Sequence, residues 1–164
     1  MIVVSKKSRW IHLVRHAKAG DRSGWSGPDH LRPLTEAGQR QARALIDQFA
    51  NAHFGRIVSS PYVRCLETVV PISAAHMLPI EPHEALAEGA PIADTLHLLA
   101  ECSVAGAVWC SHGDIIPNLL GHLAATTKLL LDPDLRCAKG STWSLEIDAR
   151  GHVTTATYRA PPTA

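Results

Sequence analysis

Three short segments carry side chains that could do chemistry together. Arg15-His16 ends one apolar run, Trp10–Arg15 (WIHLVR), and Ser111-His112-Gly113 ends another, Gly106–Ser111 (GAVWCS), while Arg64 follows closely on Ser60-Pro61. Two guanidinium forks and two imidazoles make a cradle suited to a phosphoryl group. A neutral imidazole is a competent nucleophile toward phosphorus and an imidazolium is not. Starting from an ordinary pKa of about 6.5, a histidine flanked by two guanidinium groups is pushed lower and stays neutral at pH 7. His16, adjacent to Arg15, fits the nucleophile. His112 then donates a hydrogen bond to the phosphoryl oxygens alongside Arg15 and Arg64.

The elements that must position these groups alternate in type, as in an α/β domain with a mostly parallel sheet. Trp10–Arg15 reads as a buried first strand, followed by a Gly/Ser/Asp/Pro-rich loop over Gly20–Pro33 that is long enough to be functional. Thr35 is the predicted N-cap of a helix to about Ala52, with Ala42, Leu45, Ile46 and Phe49 on one face. Gly55–Ser59 is the second strand. Ser60 as N-cap with Pro61 at the first helical position starts the helix that carries Arg64 and ends near Ala75. A short strand at Pro79–Pro82, an irregular stretch at Glu84–Gly89 and a helix from Pro91 to about Cys102 follow, with Leu96, Leu99 and Ala100 inward. Gly106–Ser111 is the central strand and Gly113–Ala125 the helix after it. Strands Thr142–Asp148 and His152–Tyr158 close the domain, with a loose tail from Ala160. In open α/β sheets, ligands bind at the carboxyl ends of the strands, so both histidines are delivered to one edge. Arg64 arrives there with the positive end of a helix dipole.

The bulk properties narrow the function class. A chain of 164 residues is one domain, 1–164, long enough to bury a core without staples. Sixteen basic against fifteen acidic residues argue against a nucleic-acid coat, although six of the basic ones lie between Met1 and Arg22, facing a single acid, Asp21. Cys65, Cys102, Cys110 and Cys137 form no CxxC pair and read as reduced thiols. The opening MIVVSKKSRW lacks a secretory apolar region, and no stretch nears the ~20 apolar residues of a membrane span, so a cytoplasmic protein off the membrane is expected.

Quoted together, LVRHAKAG (Leu13–Gly20), RPLTEAGQRQA (Arg32–Ala42), SSPYVRCLET (Ser59–Thr68) and CSHGDIIPNLL (Cys110–Leu120) resemble, in family order, the histidine phosphatase (phosphoglycerate mutase-like) superfamily. The resemblance implies a three-layer α/β/α sandwich. It also implies a phosphohistidine on His16, with Arg15, Arg64 and His112 binding the phosphoryl group and Gly113 beside it. The common RHG motif followed by Glu and Thr or Ser is replaced here by Ala17, Lys18 and Ala19. Lys18 is expected to supply charge in place of the missing hydroxyl. The RHA form resembles the small bacterial phosphohistidine phosphatases. The ending KGSTWSLEIDARGHV with TYRAPP is similar to histidine phosphatase domains that follow Nudix domains, and because no Nudix signature occurs, a standalone version is expected.

Many family members carry a general acid in an L-x-E segment. Leu86-Ala87-Glu88 matches it and names Glu88, with Glu84 as rival. Asp29 and His30 in the long first loop are candidate substrate contacts. Other chemistries fit less well. His12 and His16, four apart on a strand, stand roughly 13 Å apart, too far to share a metal ion. No cysteine has the arginine six residues on that a cysteine phosphatase needs. LLLDPDL (Leu129–Leu135) looks like the DxD nucleophile of haloacid-dehalogenase-type phosphatases, but it comes late in the chain and reads as a helix end and an Asp-Pro turn. The expectation is a phosphatase needing neither metal nor cofactor, acting on a phosphorylated small molecule or a phosphohistidine protein. A non-catalytic phosphate-binding module and a mutase-type phosphotransferase are the alternatives.

Overall fold

The computed structural model describes residues 8–102, 105–131 and 134–163. Lys6, Lys7 and the Asp132-Pro133 turn lie outside them. Six strands form one sheet in the order β3-β2-β4-β1-β5-β6. They are β1 (Arg9–Arg15), β2 (Arg56–Ser59), β3 (Ile80–Pro82), β4 (Ala107–Ser111), β5 (Thr142–Ile147) and β6 (Val153–Arg159). The first four strands are mutually parallel; β5 runs antiparallel to β1, and β6 antiparallel to β5.

Side-chain alternation along these strands builds the two faces. Ile11 and Leu13 of β1, Val58 of β2 and Trp109 of β4 point to one face, where they meet Leu98 of α3 (Ile92–Glu101) and Ile116, Leu119 and Leu120 of α4 (Ile115–Thr126). Val14, Ile57, Val108 and Cys110 point the other way, onto Leu45 and Phe49 of α1 (Glu36–Phe49) and Val69 and Ile72 of α2 (Val63–His76). The result is the expected three-layer α/β/α sandwich. Four cysteines are free thiols. Among the described residues, no helix is long and apolar enough to cross a membrane.

Two expectations change. The inward face of α3 is Thr95 and Leu98, with Leu96 and Leu99 only half-buried and Ala100 exposed. The Thr95 hydroxyl bonds the Ala85 carbonyl and so takes an inward place that hydrophobicity alone assigned to leucine. Helix α2 begins at Val63 rather than at Pro61, and its N-cap is Tyr62. Ser60 is fully buried, and its hydroxyl accepts from the Tyr62 N–H at 3.3 Å in the turn before the helix while meeting His112 Nε2 at 2.8 Å.

Helix α1 is locked to the segment after β1. Thr35 caps it through the Gly38 N–H, and the Thr35 hydroxyl and N–H both donate to the Lys18 carbonyl. A Cβ at Gly38 falls 1.9 Å from that carbonyl oxygen, so backbone must shift to admit one. Overpacking that moves backbone costs about 1–3 kcal/mol or more, and Gly38→Ala is expected to lower the urea midpoint by at least that equivalent. A midpoint within 0.5 kcal/mol-equivalent of wild type, roughly the scatter of surface substitutions, is inconsistent with this packing.

Candidate active site

Strands β1 and β4 are neighbours in register, Arg15 opposite Ser111, so the residue after each emerges at the same level. The His16 N–H continues the ladder by donating to the Ser111 carbonyl at 3.0 Å. The two rings then face each other with centroids 5.4 Å apart. His16 is 6% exposed and His112 2%. Arg15, Arg64 and Glu88 join them around a cleft of about 300 Å³, with Arg22, Arg32, Lys139, Asp21 and Asp114 toward its walls.

His16 Nδ1 lies 2.8 Å from the Ala17 carbonyl, which can only accept, so Nδ1 carries the proton and the Nε2 lone pair is free. Burial lowers the His16 pKa from 6.5 to about 3, opposed by the Ala17 bond and assisted by His112, Arg64 and Arg15. The direction agrees with the sequence reading, but burial outweighs the two guanidinium groups. Ala17 is itself pinned, its N–H donating to Thr68 Oγ1 while the Thr68 hydroxyl donates to the Arg64 carbonyl. One hydroxyl therefore couples the turn after β1 to the helix carrying Arg64.

Arg64 is 1% exposed. Its Nη1 donates to the Asp29 carbonyl, its Nη2 reaches Glu88 Oε2 at 2.9 Å and Asp29 Oδ2 at 3.1 Å, and its guanidinium lies over the Tyr62 ring. A buried guanidinium needs such partners. Asp29 Oδ1 also pairs with Arg22 and Arg32, which ties the long first loop across the cleft. Burial alone raises the Asp29 pKa, but Arg32, Arg64 and Arg22 outweigh it and the net shift is downward. Arg15 donates to the Cys137 carbonyl, and its guanidinium rests on Gly113, where a Cβ would come within 2.7 Å of Cζ. Gly113 thus makes room for an arginine. Three buried donors, Arg15 Nε, Arg64 Nε and His112 Nδ1, have no hydrogen-bond partner among the described residues.

Of the remaining sequence candidates, Glu88 lies in the cleft between Arg22 and Arg64, whereas Glu84 is exposed in a short 3-10 turn outside it. His30 is exposed and edges onto Tyr62 without lining the cleft. Lys18 is also exposed and outside the lining. Its backbone bonds Gln41 and Thr35 in the packing of α1, and the additional cationic side chains that line the cleft are those of Lys139, Arg32 and Arg22. Lys139 and Arg32 were missed, as were Asp114, which accepts from the Gly89 N–H, and Ser60. The signals for them were weak: the KG pair at 139–140, the Arg-Pro at 32–33, and the Ser directly before SPYVR's proline are each common as plain loop chemistry. His12 bonds Ser144 across the sheet and is held near a pKa of 4 by burial and then by Arg159. Among the described residues, no three His, Cys, Asp or Glu side chains converge on a point that could hold a metal ion.

A sequence profile of the histidine phosphatase superfamily (branch 1) matches residues 11–91, the stretch that holds His16, Arg64 and Glu88. The chain belongs to the histidine phosphatase superfamily. It is 30% identical over 160 residues to an 8-oxo-(d)GTP phosphatase of Mycolicibacterium smegmatis, covering 94% of this chain and 49% of that protein. The chain thus spans about half the length of the curated relatives it matches. Among solved structures, this histidine phosphatase fold superposes with a TM-score of 0.72 on the protein histidine phosphatase SixA complexed with tungstate, at 20% identity over 92% of this chain and 94% of the other. It superposes with a TM-score of 0.71 on a mycobacterial glucosyl-3-phosphoglycerate phosphatase in complex with VO3, at 17% identity over 95% and 100% of the two chains.

The downward shift of His16 has a measurable sign. The unfolded chain binds a proton at this ring near pH 6.5 and the folded chain only near 3, so the contribution to stability is complete above about 6.5 and is lost as pH falls toward about 3. In ¹⁵N spectra, the His16 ring is expected to remain neutral, protonated at Nδ1, down to about pH 4, where an ordinary imidazole is already charged. Titration of His16 near 6.5 would contradict the burial-driven shift.

Proposed function

We propose that this chain is a phosphatase that transfers a phosphoryl group to His16 and then to water, on a phosphomonoester or phosphohistidine substrate. The observation that carries the proposal is the Nδ1–H to Ala17 bond in a ring that burial keeps neutral, because it leaves Nε2 as a nucleophile facing the cleft. Nε2 attacks phosphorus, and the bond to the leaving oxygen breaks opposite it. Charge on the phosphoryl oxygens is met by Arg15, Arg64 and His112, whose unpartnered Nε and Nδ1 donors such an acceptor would satisfy. The Ser60 hydroxyl supports His112 as donor: if it donates to Nε2 while accepting from the Tyr62 N–H, the His112 proton sits on Nδ1. Water then cleaves the phosphorus–nitrogen bond and releases phosphate. The family supplies the reaction class, and the tungstate and VO3 complexes of the two structural relatives are in keeping with a site for phosphate-like oxyanions. The substrates named for relatives differ: a nucleotide, a protein histidine and a sugar-linked phosphoglycerate. A protein acting without a resident metal or cofactor remains part of the proposal.

Rapid denaturation during turnover is expected to trap an acid-labile, base-stable phosphoryl label, and His16→Ala to abolish both label and turnover. A label that survives this substitution rules the intermediate out.

Glu88 is proposed as the proton donor to the leaving oxygen, on its place in the cleft between Arg22 and Arg64. General acid catalysis contributes roughly 10²–10⁴, and the need for it depends on the leaving group. Glu88→Gln is therefore expected to damage hydrolysis of alkyl phosphates by about that factor and of aryl phosphates much less. Equal losses on both would leave Glu88 the role of holding Arg64.

A further inference from the structure

Charge is shared unevenly between the walls of the cleft. On one wall, Arg22 and Arg64 each close ion pairs with Asp29 and Glu88, and Arg32 closes one with Asp29. On the other stand Arg15 and Lys139, and neither takes part in an ion pair among the described residues. Arg15 at least donates to the Cys137 carbonyl, whereas the Lys139 ammonium makes no hydrogen bond among the described residues.

Lys139 is nonetheless held firmly in place. Its carbonyl accepts from Gln41 Nε2 at 2.8 Å, and the next N–H, that of Gly140, is shared by the Arg15 and His16 carbonyls at 3.1 Å each. Gly140 has φ +81, and a Cβ there would strike Gln41, so this turn is built around glycine. Partial burial, then the charges of Arg15, Arg32 and Arg64, depress the Lys139 pKa, with Asp21 the carboxylate that opposes them from beyond ion-pair distance. An ammonium with no ion pair among the described residues, carried on a fixed backbone within the field of three guanidinium groups, stabilises nothing in the protein itself. Its complement is an anion.

Depth decides which anion. His16, His112 and Arg64 are buried at the floor, while Lys139 is half-buried nearer the mouth. In phosphoryl transfer the attacking and leaving atoms lie roughly in line, so a nucleophile on the floor sends the leaving group toward the mouth. We propose that Lys139 binds a second anionic group carried by the leaving group, so that the substrate is a phosphoryl group attached to an anion. This rests on the phosphatase reading given above. The shared chemistry is an anionic oxygen group next to the scissile bond, as in a phosphoric anhydride such as a nucleoside diphosphate, or in a phosphate ester of a hydroxy acid. As the His16 nitrogen–phosphorus bond forms, the bridging oxygen keeps the electron pair of the bond that breaks. In an anhydride it departs as a phosphate anion with no proton needed, its charge met by Lys139. In an ester of a hydroxy acid the alkoxide takes the proton of Glu88, and Lys139 holds the carboxylate.

Binding and turnover test this separately. Methylphosphonate and methylenediphosphonate present one and two phosphoryl anions on bonds that do not hydrolyse. The wild-type protein is expected to bind the second more tightly by calorimetry, and Lys139→Met to remove about ten- to a hundredfold of that preference, the worth of one charge-assisted contact. Lys139→Arg is expected to keep most of it. In kinetics, Lys139→Met is expected to lower kcat/KM for a nucleoside diphosphate or for phosphoglycerate at least tenfold more than for phenyl phosphate, and the larger of the two losses identifies the source of the anion. If Lys139→Met weakens both phosphonates equally, or neither, the proposal is overturned. Loss of the preference in a protein that forms no label on His16 would instead uphold the anion site and sink the phosphatase reading.

Discussion

The parallel pairing of β1 with β4 is the constraint on which the site depends. Its register sets Arg15 opposite Ser111, and the His16 N–H extends the ladder by one bond. Two residues almost a hundred positions apart thereby come within a ring's width of each other. The core exists to hold that register. Trp109 and Leu13 on one face, and Val14 and Cys110 on the other, are all 2% exposed or less, and a slip of one residue would turn each to the wrong side.

The second constraint is electrostatic. Burying Arg64 at the sheet edge is costly unless carboxylates accompany it, and the long first loop brings Asp29 for that purpose while the segment after β3 brings Glu88. The loop is thus tied to the chemistry through charge more than through apolar packing; none of its two 3-10 turns buries a residue. Fold and site share the same bonds, and the Thr68 hydroxyl, touching both Ala17 and Arg64, is the smallest example.

Strand ends, helix order and the convergence of His16, His112, Arg15 and Arg64 were legible in the sequence because each depends on short-range pattern. Alternating apolar runs fix strands, and a polar residue directly after a strand must sit at its end. Ser60 was misread for the same reason. The Ser-Pro pair does make a local turn, Ser60 accepting from the Tyr62 N–H ahead of α2, but the contact of the same hydroxyl with His112, 52 residues away, has no local signal. Lys18 and Lys139 exchange importance likewise. Lys18, two residues after the histidine, is exposed and does not line the cleft, its backbone bonding Gln41 and Thr35, whereas Lys139 lines it on a turn held by Gln41 and Gly140, contacts that no spacing rule reveals.

The carboxylates on Arg64 give ligand entry a particular character. Nη2 is already engaged by Asp29 and Glu88, so the side of Arg64 left for an oxyanion is Nε, and the ligand proposed above would arrive beside two standing carboxylates. Asp29 is held there by Arg22 and Arg32 as well, so this acid does not depend on Arg64 alone. Each carboxylate offsets one guanidinium of this wall, so its pull on an anion from a distance is weaker than its three arginines alone would exert. Selectivity then turns on shape and donor count, which a tetrahedral group with three oxygens can satisfy and a planar carboxylate with two cannot.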